Sequence, residues 1–446
     1  MTIGKIGPSD IERHIMAPFM FTGEFDADTA AVGTLTRDAD ALLGQLPRKA
    51  LRTPEEQYTA EAVHRSARLA RSGFLALHAA KVYQHLTEGN RISLRLSELV
   101  AKAAEEFPGL VPDEEQMRDE QTKAQRDKEG REIDQAIFFR SVLTSPLAGP
   151  HLMDAMMRPT DRALALVPEF RRIGKVDLGA VQLERAGAVA HLTIRNLHCL
   201  NAEDTPSVAD MEAAVDLALL DDQVRVCVLR GDVMMHPKYH GRRVFSAGIN
   251  LRDLNAGRIS FVDFLLGREI GYINKIFRGV LFDSTANWPD RTVQKPWLAA
   301  IDTFAIGGGM QLALATDYVI AASDAYFSLP AAKEGIIPGL GGLRLGRLLG
   351  ARLSRQVILS GRRIHARDPE AKLLCDDVVE PEAMDAAVLA AAERLSEPAV
   401  LANRRMLNLA DEPALHFLSY LGEFALAQAL RIYSSDVLDK VGGIDA

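Results

Sequence analysis

The hydrophobic pattern of this 446-residue chain changes near residue 175, and the change divides the sequence into two parts with different spacing of apolar residues. Up to about Arg172, apolar residues recur three and four positions apart, as in Ala60–Leu86 and Ile92–Glu106, which predicts amphipathic helices. From Val176 onward, short β-rich runs alternate with apolar helical stretches. Strand–helix–strand alternation is typical of a layered α/β core. We therefore expect a helical N-terminal domain followed by an α/β domain.

Individual elements follow from the same patterns. The predicted strands are Ala188–Asn196, Val224–Gly231, Trp297–Asp302 and Tyr318–Ala322, and the predicted helices are Ala209–Leu220, Phe261–Phe277, Met310–Thr316 and Ala351–Leu359. The alanine- and leucine-rich stretch after Val379 is again helical in pattern. The predicted domains are 1–174, 175–380 and 381–446. The charged stretch 108–131 is interpreted as a solvated linker or an exposed helix.

Charge and composition exclude several classes of protein. A net charge of −8 offers no general attraction to nucleic acid or to an anionic membrane. No run of about 18 uncharged apolar residues is present, and the first residues lack a secretory signal, so a cytoplasmic protein is expected. Three scattered cysteines are too few for a disulfide framework or a thiolate zinc site.

Two glycine-containing segments suggest a site for negative charge. In Val244–Leu251 (VFSAGINL), the Ala247-Gly248 turn interrupts an apolar run and can expose a main-chain N–H. In Ala305–Ala315 (AIGGGMQLALA), three glycines follow a strand and open an apolar helix, where unpaired N–H groups and the positive end of the helix dipole point the same way. Each segment alone is a weak signal, because a glycine cluster before a helix is usually a tight turn.

Taken together and in this order, the segments resemble the crotonase (enoyl-CoA hydratase/isomerase) superfamily. Its patterns FSAGADL and GGGxELALxCD are matched here by FSAGINL and GGGMQLALATD, and Ile336–Leu345 (IIPGLGGLRL) resembles its next loop. The resemblance runs from the turn Asn196–Asn201 to about Gly361. It implies an α/β fold with a crotonase (ββα superhelix) core, a helical N-terminal extension and C-terminal oligomerisation helices that build a homo-hexamer, a dimer of trimers.

The resemblance also implies an acyl-CoA substrate and an oxyanion hole formed by the backbone N–H groups of Ile249 and Gly308. Two such donors stabilise the negative charge that builds on a thioester oxygen when the α-carbon loses a proton. The further substrate-binding positions carried over from the family are Ala247, Gly248, Asn250 and Gly307, with His236 in a region that can approach the CoA nucleotide.

The chain departs from the hydratases of this superfamily at both acid–base positions. Gln311 and Ala331 stand where those enzymes have glutamates. An acid–base group contributes about 10²–10⁴-fold in rate, so water addition is disfavoured. Glu334 could supply a displaced carboxylate, but with Lys333 beside it and a glycine after it we favour a surface position.

The missing glutamates and the long helical extension resemble one branch of the superfamily, the cofactor-independent arylacetyl-CoA dioxygenases. This resemblance implies that O₂ reacts directly with the enolate, without a metal or organic cofactor. It implies that Glu203, Arg268 and Gln311 bind ring hydroxyls. A dry oxygen pocket near the α-carbon would have Ala331 and Ile336 in its wall.

Alternative interpretations stay open at this point. His236 and His240 have a spacing that suits two metal ligands on one helical face, but Pro237 and Gly241 argue against a helix there and no third ligand is near in sequence. An acyl-CoA isomerase or thioesterase using Glu334 is a second possibility. A non-catalytic CoA-binding scaffold is a third.

Overall fold

In the computed structural model, which describes residues 21–282 and 291–443, the N-terminal part consists of packed helices. The longest begins after Thr53, whose side chain accepts a hydrogen bond from the Glu56 N–H while the Glu56 carboxylate accepts one from the Thr53 N–H, an arrangement that stabilises a helix start. The helices are α1 (Phe25–Leu43), α2 (Pro54–Leu86), α3 (Leu96–Glu106), α4 (Glu114–Gln121), α5 (Arg131–Thr144), α6 (Ala148–Met157) and α7 (Asp161–Ile173).

The charged stretch 108–131 is only partly the exposed segment that its composition predicts. Its centre is helix α4, which is largely exposed, but Glu120, Gln125 and Lys128 are each 1% exposed. The Glu120 carboxylate accepts hydrogen bonds from three successive backbone N–H groups at residues 129–131. The interpretation as a solvated linker is therefore wrong: buried charged groups with local partners tie this segment to the helical domain.

A seven-stranded sheet forms the second part of the chain. Its strands are β1 (Lys175–Asp177), β2 (Val181–Ala186), β3 (Val189–Ile194), β4 (Val226–Gly231), β7 (Trp297–Ile301), β9 (Tyr318–Ala322) and β12 (Asp377–Val379). They lie in the order β1-β2-β3-β4-β7-β9-β12, antiparallel from β1 to β3 and parallel from β3 to β12. The parallel strands β7 and β9 are almost entirely buried and apolar, as expected where a sheet is covered on both faces, whereas the edge strand β12 is partly exposed.

Two smaller sheets and a set of helices complete the domain. The strands β8 (Phe304–Ile306), β10 (Tyr326–Ser328) and β11 (Ile364–His365) form one small sheet, and β5 (Val280–Leu281) pairs with β6 (Thr292–Val293). The helices here are α8 (Thr205–Leu220), α9 (Leu251–Asn255), α10 (Asn274–Arg278), α11 (Gly308–Ala313), α12 (Ala331–Glu334) and α13 (Gly341–Ser360). The C-terminal helices are α14 (Met384–Leu395), α15 (Pro398–Asp411), α16 (Ala414–Ile432) and α17 (Ser435–Gly442).

The four predicted strands all occur, at β3, β4, β7 and β9, within two residues of their predicted bounds. The predicted helix Phe261–Phe277 differs from a regular α-helix. It consists of two π-helical segments, Phe261–Leu266 and Glu269–Ile273, followed by α10, and Gly271 inside it has non-helical dihedral angles (φ −85°, ψ −111°). Such wide turns are often found at functional sites. Here they flank Arg268.

One continuous cluster of buried apolar side chains runs from α1 to α17. Helix α16 packs along α5 of the N-terminal part, so the first and last helical segments share a core with the sheet domain. Among the described residues, no helix is both long and apolar enough to cross a membrane.

Candidate active site

The two glycine-containing loops meet at the edge of the small sheet. Ser246 forms a parallel bridge with Ala305, and its carbonyl accepts a hydrogen bond from the Ile306 N–H at 3.0 Å. Beyond this bridge the backbones touch: a Cβ on Gly248 would lie 3.4 Å from the Gly308 nitrogen and 3.1 Å from the Ile306 carbonyl oxygen. Both Gly248 (φ +92°) and Gly307 (φ +53°) adopt left-handed conformations that favour glycine.

The residues that follow these turns carry the predicted oxyanion donors. The backbone of Glu203 is hydrogen-bonded to the residues on both sides of Ile249. The Glu203 N–H donates to the Gly248 carbonyl at 2.7 Å, and the Glu203 carbonyl accepts from the Asn250 N–H at 2.9 Å. Gly308 is the first residue of α11, where a helical N–H has no partner within the helix. Among the described residues, neither the Ile249 nor the Gly308 N–H has a hydrogen-bond acceptor. Two unpaired N–H groups on touching loops can bind one oxygen that carries negative charge.

A cavity opens in front of these N–H groups. Eight of the predicted site residues line it: Glu203, Ile249, Arg268, Gly307, Gly308, Gln311, Ala331 and Ile336. Four do not line it: Ala247, Gly248, Asn250 and His236. The Asn250 side chain instead caps helix α9, where it accepts from the N–H groups of Arg252 and Asp253. His236 lies in an exposed turn before Pro237–Tyr239.

Arg268 is the centre of a buried network in the cavity wall. Its Nε donates to Glu203 Oε1 at 2.9 Å, and its Nη1 donates to Glu269 Oε1 at 2.9 Å and to Gln311 Oε1 at 3.2 Å. Its Nη2 donates to the Gly308 carbonyl at 2.7 Å. The Tyr272 hydroxyl also donates to Glu203 Oε1, at 2.6 Å. The ion pair between Glu203 and Arg268 thus links the two loops that carry the predicted oxyanion donors.

Sequence reasoning missed Glu269 and Tyr272. Glu269 lines the cavity, and its Oε2 accepts from the Leu340 N–H at 3.2 Å, which fixes the loop before α13. A signal was present, because charged residues inside an apolar run such as FVDFLLGREIGYI must be paired if they are buried. Burial raises the pKa of Glu269, although Arg268 opposes this, and it holds the pKa of Tyr272 well above its usual value. For Arg268, burial lowers the pKa, but Glu203 and its neighbours outweigh that effect and keep the group charged.

The network leaves three polar groups without a partner among the described residues. A guanidinium has five N–H donors, and four bonds are formed, so one Nη2 hydrogen of Arg268 is left over. Within residues 21–282 and 291–443, Glu203 Oε2 accepts no hydrogen bond and Gln311 Nε2 donates none. One acceptor and two donors therefore converge on the cavity, and this set complements hydroxyl groups on a ligand.

The position of Glu334 differs from the surface location that we favoured from the sequence. Glu334 lies in α12, three residues after Ala331, and its side chain lines the same cavity. Burial raises the pKa of its carboxyl group to about 7, although the neighbouring Lys333 opposes the shift. The surface prediction is wrong because the C-terminal helices cover this turn: Arg431 of α16 donates to the Gly335 carbonyl at 2.6 Å.

Apart from Gln428, the remaining wall of the cavity is apolar. Ala331 is 4% exposed and stands beside the half-buried Ile336. The other apolar lining residues are Phe264, Leu265, Leu329, Ile337, Pro338 and Phe424. Such a surface holds no ordered polar partner for water and suits a small apolar molecule.

The possible metal pair His236 and His240 does not occupy a helical face. The two residues flank the short turn Pro237–Tyr239, and the His236 Nδ1 accepts from the Lys238 N–H at 3.3 Å. Within residues 21–282 and 291–443, no group of three or more histidine, cysteine or acidic side chains is arranged to hold a metal ion.

The chain matches a family model, individual relatives in sequence, and solved structures. The family model for enoyl-CoA hydratase/isomerase matches residues 283–413. The (3,5-dihydroxyphenyl)acetyl-CoA 1,2-dioxygenase of Amycolatopsis orientalis is 57% identical over 419 residues, 94% of this chain and 96% of that protein. The short-chain-enoyl-CoA hydratase of Clostridium acetobutylicum is 31% identical over 208 residues, 46% of this chain and 71% of that protein.

Among solved structures, an enoyl-CoA hydratase/isomerase from Pseudoalteromonas atlantica T6c superposes with a TM-score of 0.49 at 20% identity, over 60% of this chain and 97% of that chain.

The two sequence relatives differ in how much of this chain they cover. The similarity to the dioxygenase extends through the N-terminal helices, whereas the similarity to the hydratase is confined to less than half of the chain.

Proposed function

The chain belongs to the enoyl-CoA hydratase/isomerase (crotonase) superfamily, and from that premise we propose that it is a dioxygenase acting on (3,5-dihydroxyphenyl)acetyl-CoA. The products are 3,5-dihydroxyphenylglyoxylate and free CoA. The observation that carries this conclusion is the 57% identity, over 94% of the chain, to a relative with that activity. The replacement of both hydratase glutamates by Gln311 and Ala331 supports it, because water addition needs those carboxylates.

The first step is the formation of an enolate. A base removes one α-proton, the C–H electron pair becomes the enolate double bond, and charge builds on the thioester oxygen. The N–H groups of Ile249 and Gly308 bind that oxygen. They are held in place before the reaction by Glu203 and Arg268, so little reorganisation is needed when charge develops. The aryl ring and the carbonyl together acidify the α-carbon.

Oxygen then reacts with the carbanion directly. The enolate supplies two electrons, and O₂ becomes a peroxide bound to the α-carbon. The terminal peroxide oxygen attacks the thioester carbonyl, the C–S bond breaks, and CoA leaves as a thiolate that takes up a proton. Loss of the second α-hydrogen as a proton, with cleavage of the O–O bond, leaves the keto group and the carboxylate. We propose that Ala331 and Ile336 border the pocket that binds O₂, since their side chains keep water from the carbanion.

The unpaired polar groups of the cavity suit the substrate ring. We propose that Glu203 Oε2 accepts a hydrogen bond from one ring hydroxyl, while Gln311 Nε2 and the remaining Arg268 N–H donate to ring oxygens. A site with buried polar groups of this kind discriminates strongly against a ligand that lacks the matching hydroxyls. His236, Asn250 and Ala247 lie outside this cavity, so any contact of theirs is with the CoA part of the substrate.

Oxygen-electrode and mass-spectrometric measurements with (3,5-dihydroxyphenyl)acetyl-CoA test the proposal. Chelator-treated protein should consume oxygen, release CoA, and place both atoms of isotopically labelled O₂ in the glyoxylate. The proposal fails if the protein consumes no oxygen but isomerises or hydrolyses the thioester, which would favour the isomerase or thioesterase alternative. Binding of the thioester without turnover would favour a scaffold. Loss of activity on metal removal would contradict the metal-independent mechanism.

We further propose that the enzyme is a hexamer built from two trimers and that it works in the cytoplasm. The C-terminal helices expose large apolar side chains that a partner subunit would bury, among them Leu389 (69%), Met406 (64%), Leu407 (63%), Leu409 (61%) and Leu415 (63%). Sedimentation at micromolar concentration should give a hexamer, and a monomer would contradict the proposal.

A further inference from the structure

Three carboxylates line the cavity, and their surroundings differ. Glu203 and Glu269 are both paired with Arg268, and each accepts at least one further hydrogen bond. Glu334 has no hydrogen-bond or ion-pair partner for its side chain among the described residues. An unpaired carboxylate in an apolar wall is unfavourable for stability, so its presence there calls for a functional reason.

We infer that Glu334 is the base that removes the α-proton of the arylacetyl thioester. This inference rests on the proposed dioxygenase function and assigns the residue that performs its first step. The carboxylate accepts the proton, the C–H electrons pass into the enolate, and the oxyanion donors at Ile249 and Gly308 receive the resulting charge.

The position of Glu334 on its helix supports this role. Residues three apart on a helix lie on the same face, so Glu334 is one turn beyond Ala331 on the side that faces the cavity. Helical side chains lean toward the N-terminus of the helix, which directs the longer glutamate back over the turn that carries Ala331. A carboxylate can thus be supplied close to the position that the hydratase glutamate would occupy, while Ala331 itself leaves space for oxygen.

The environment of Glu334 also suits a base that works near neutral pH. Burial raises the pKa of this carboxyl group to about 7, against the opposing effect of Lys333. A base is most effective when its pKa lies near the working pH. The other charged groups around this wall are already paired: Arg431 with Asp436, Arg344 with Glu412, and Glu269 with Arg268.

Anaerobic exchange of the α-hydrogens with deuterated solvent is the decisive measurement, because it reports proton removal in the absence of oxygen. In Glu334→Gln, exchange and aerobic oxygen consumption should both fall by about 10²–10⁴-fold. The exposed Glu382→Gln should keep both rates. Exchange at the normal rate in Glu334→Gln would overturn the inference. The inference would also fail if Glu203→Gln lost exchange while Glu334→Gln retained it. Oxygen consumption by the wild type tests the proposed function separately.

A second variant covers the case in which Glu334→Gln does not fold. In the wild type, exchange should require the ionised carboxylate, so its rate should rise with pH through about 7 and then level off. Lys333 is exposed, and Lys333→Met removes the charge that opposes the raised pKa, so the midpoint should move to higher pH. Lys175→Met, which removes the same charge from the exposed strand β1, should leave the midpoint unchanged. An unchanged midpoint in Lys333→Met would overturn the inference.

Discussion

Arg268 shows why a residue type alone does not define a role. Its sequence position suggests contact with the substrate ring, yet four of its five N–H donors bind the protein, including the Gly308 carbonyl. In the described part of the chain, only one hydrogen of Nη2 has no acceptor and is left for a ligand. In the proposed mechanism the side chain therefore supports the oxyanion hole as well as any ring contact, and the two effects can be separated by experiment.

We expect Arg268→Ala to lose stability and activity together. Removing the guanidinium leaves Glu203 and Glu269 buried without their partner, and breaking a buried pair in this way costs about 3–5 kcal/mol. Turnover should fall for unsubstituted phenylacetyl-CoA as well as for the dihydroxylated substrate, with the larger loss for the latter, since only it uses the remaining N–H. Thermal unfolding and kcat/KM for both thioesters measure the two effects. A loss confined to the dihydroxylated substrate, with normal stability, would show that Arg268 does not support the oxyanion hole.

Ala331 is the residue whose small size matters most in the proposed mechanism. We expect Ala331→Glu to abolish oxygen consumption without producing efficient hydration. The new carboxylate would fill the space beside Ile336 that the proposed mechanism leaves for oxygen, and it would place a second group able to donate a proton next to the carbanion, so protonation should compete with oxygen capture. Hydration would still lack a carboxylate at Gln311 and an unsaturated acyl chain.

Oxygen consumption and solvent deuterium at the α-carbon distinguish the outcomes for Ala331→Glu. The neighbouring Ala332 is exposed, so Ala332→Glu is a control of equal charge that should behave as the wild type. Ala331→Gln, of equal size without the charge, should show how much of the loss is due to volume. Unchanged oxygen consumption in Ala331→Glu would show that the oxygen pocket lies elsewhere.

The candidate site was predictable from sequence where it depends on local backbone, and less so where it depends on distant packing. The glycine loops and the N–H groups of Ile249 and Gly308 follow from a short motif, because the turn and the helix start are encoded within a few residues. The burial of Glu334 depends on α16, about 90 residues later in the chain, which covers its turn. No local pattern could have indicated that contact.

At the level of elements, helix α16 holds the wall that carries Ala331 and Glu334. Arg431 Nε donates to the Gly335 carbonyl at 2.6 Å, and Gln428 Oε1 accepts from the Ile337 N–H at 2.8 Å. Gln428 is 2% exposed and lines the cavity as well. These contacts fix the backbone on both sides of Ile336, so the C-terminal helix takes part in shaping the site.

We expect Gln428→Leu to loosen this wall and lower the efficiency of oxygenation. The Ile337 N–H would lose its acceptor, and an unsatisfied buried donor costs about 1–3 kcal/mol. Water should then reach the enolate more often, so more α-deuterium should enter unreacted thioester for each oxygen consumed. The ratio of these two quantities is the measurement, and Arg352→Ala on the exposed face of α13 is the control. An unchanged ratio with unchanged stability would show that α16 does not act on the wall.

For the whole molecule, the order of helices and strands was predicted better than the packing contacts between segments that are far apart in the chain. Short β-rich runs predicted four strands and all four occur, since a buried parallel strand is marked by its own apolar residues. The π-helical segments around Arg268 were not predicted, because their periodicity resembles that of an α-helix over so few residues. The shared core of the N-terminal helices and α16 is a tertiary contact between segments almost 300 residues apart, which the sequence pattern does not report.

We expect that the enzyme needs its N-terminal helices to form the active site, although none of their residues lines the cavity. Helix α5 packs along α16, Arg140 of α5 is paired with Glu423 at 2.9 Å, and the Gln125 side chain donates to the Ile432 carbonyl at 3.3 Å. Helix α16 in turn holds the turn that carries Glu334. A chain beginning at Lys175 would expose the apolar face of α16, so we expect it to aggregate or to lack oxygenase and α-exchange activity. The test is to produce residues 175–446 alone and together with residues 1–174 as a separate chain. Co-production should give a soluble complex in which both activities return, because the same interface can form between separate chains. A soluble and fully active 175–446 fragment would show that the N-terminal helices are not required for the site.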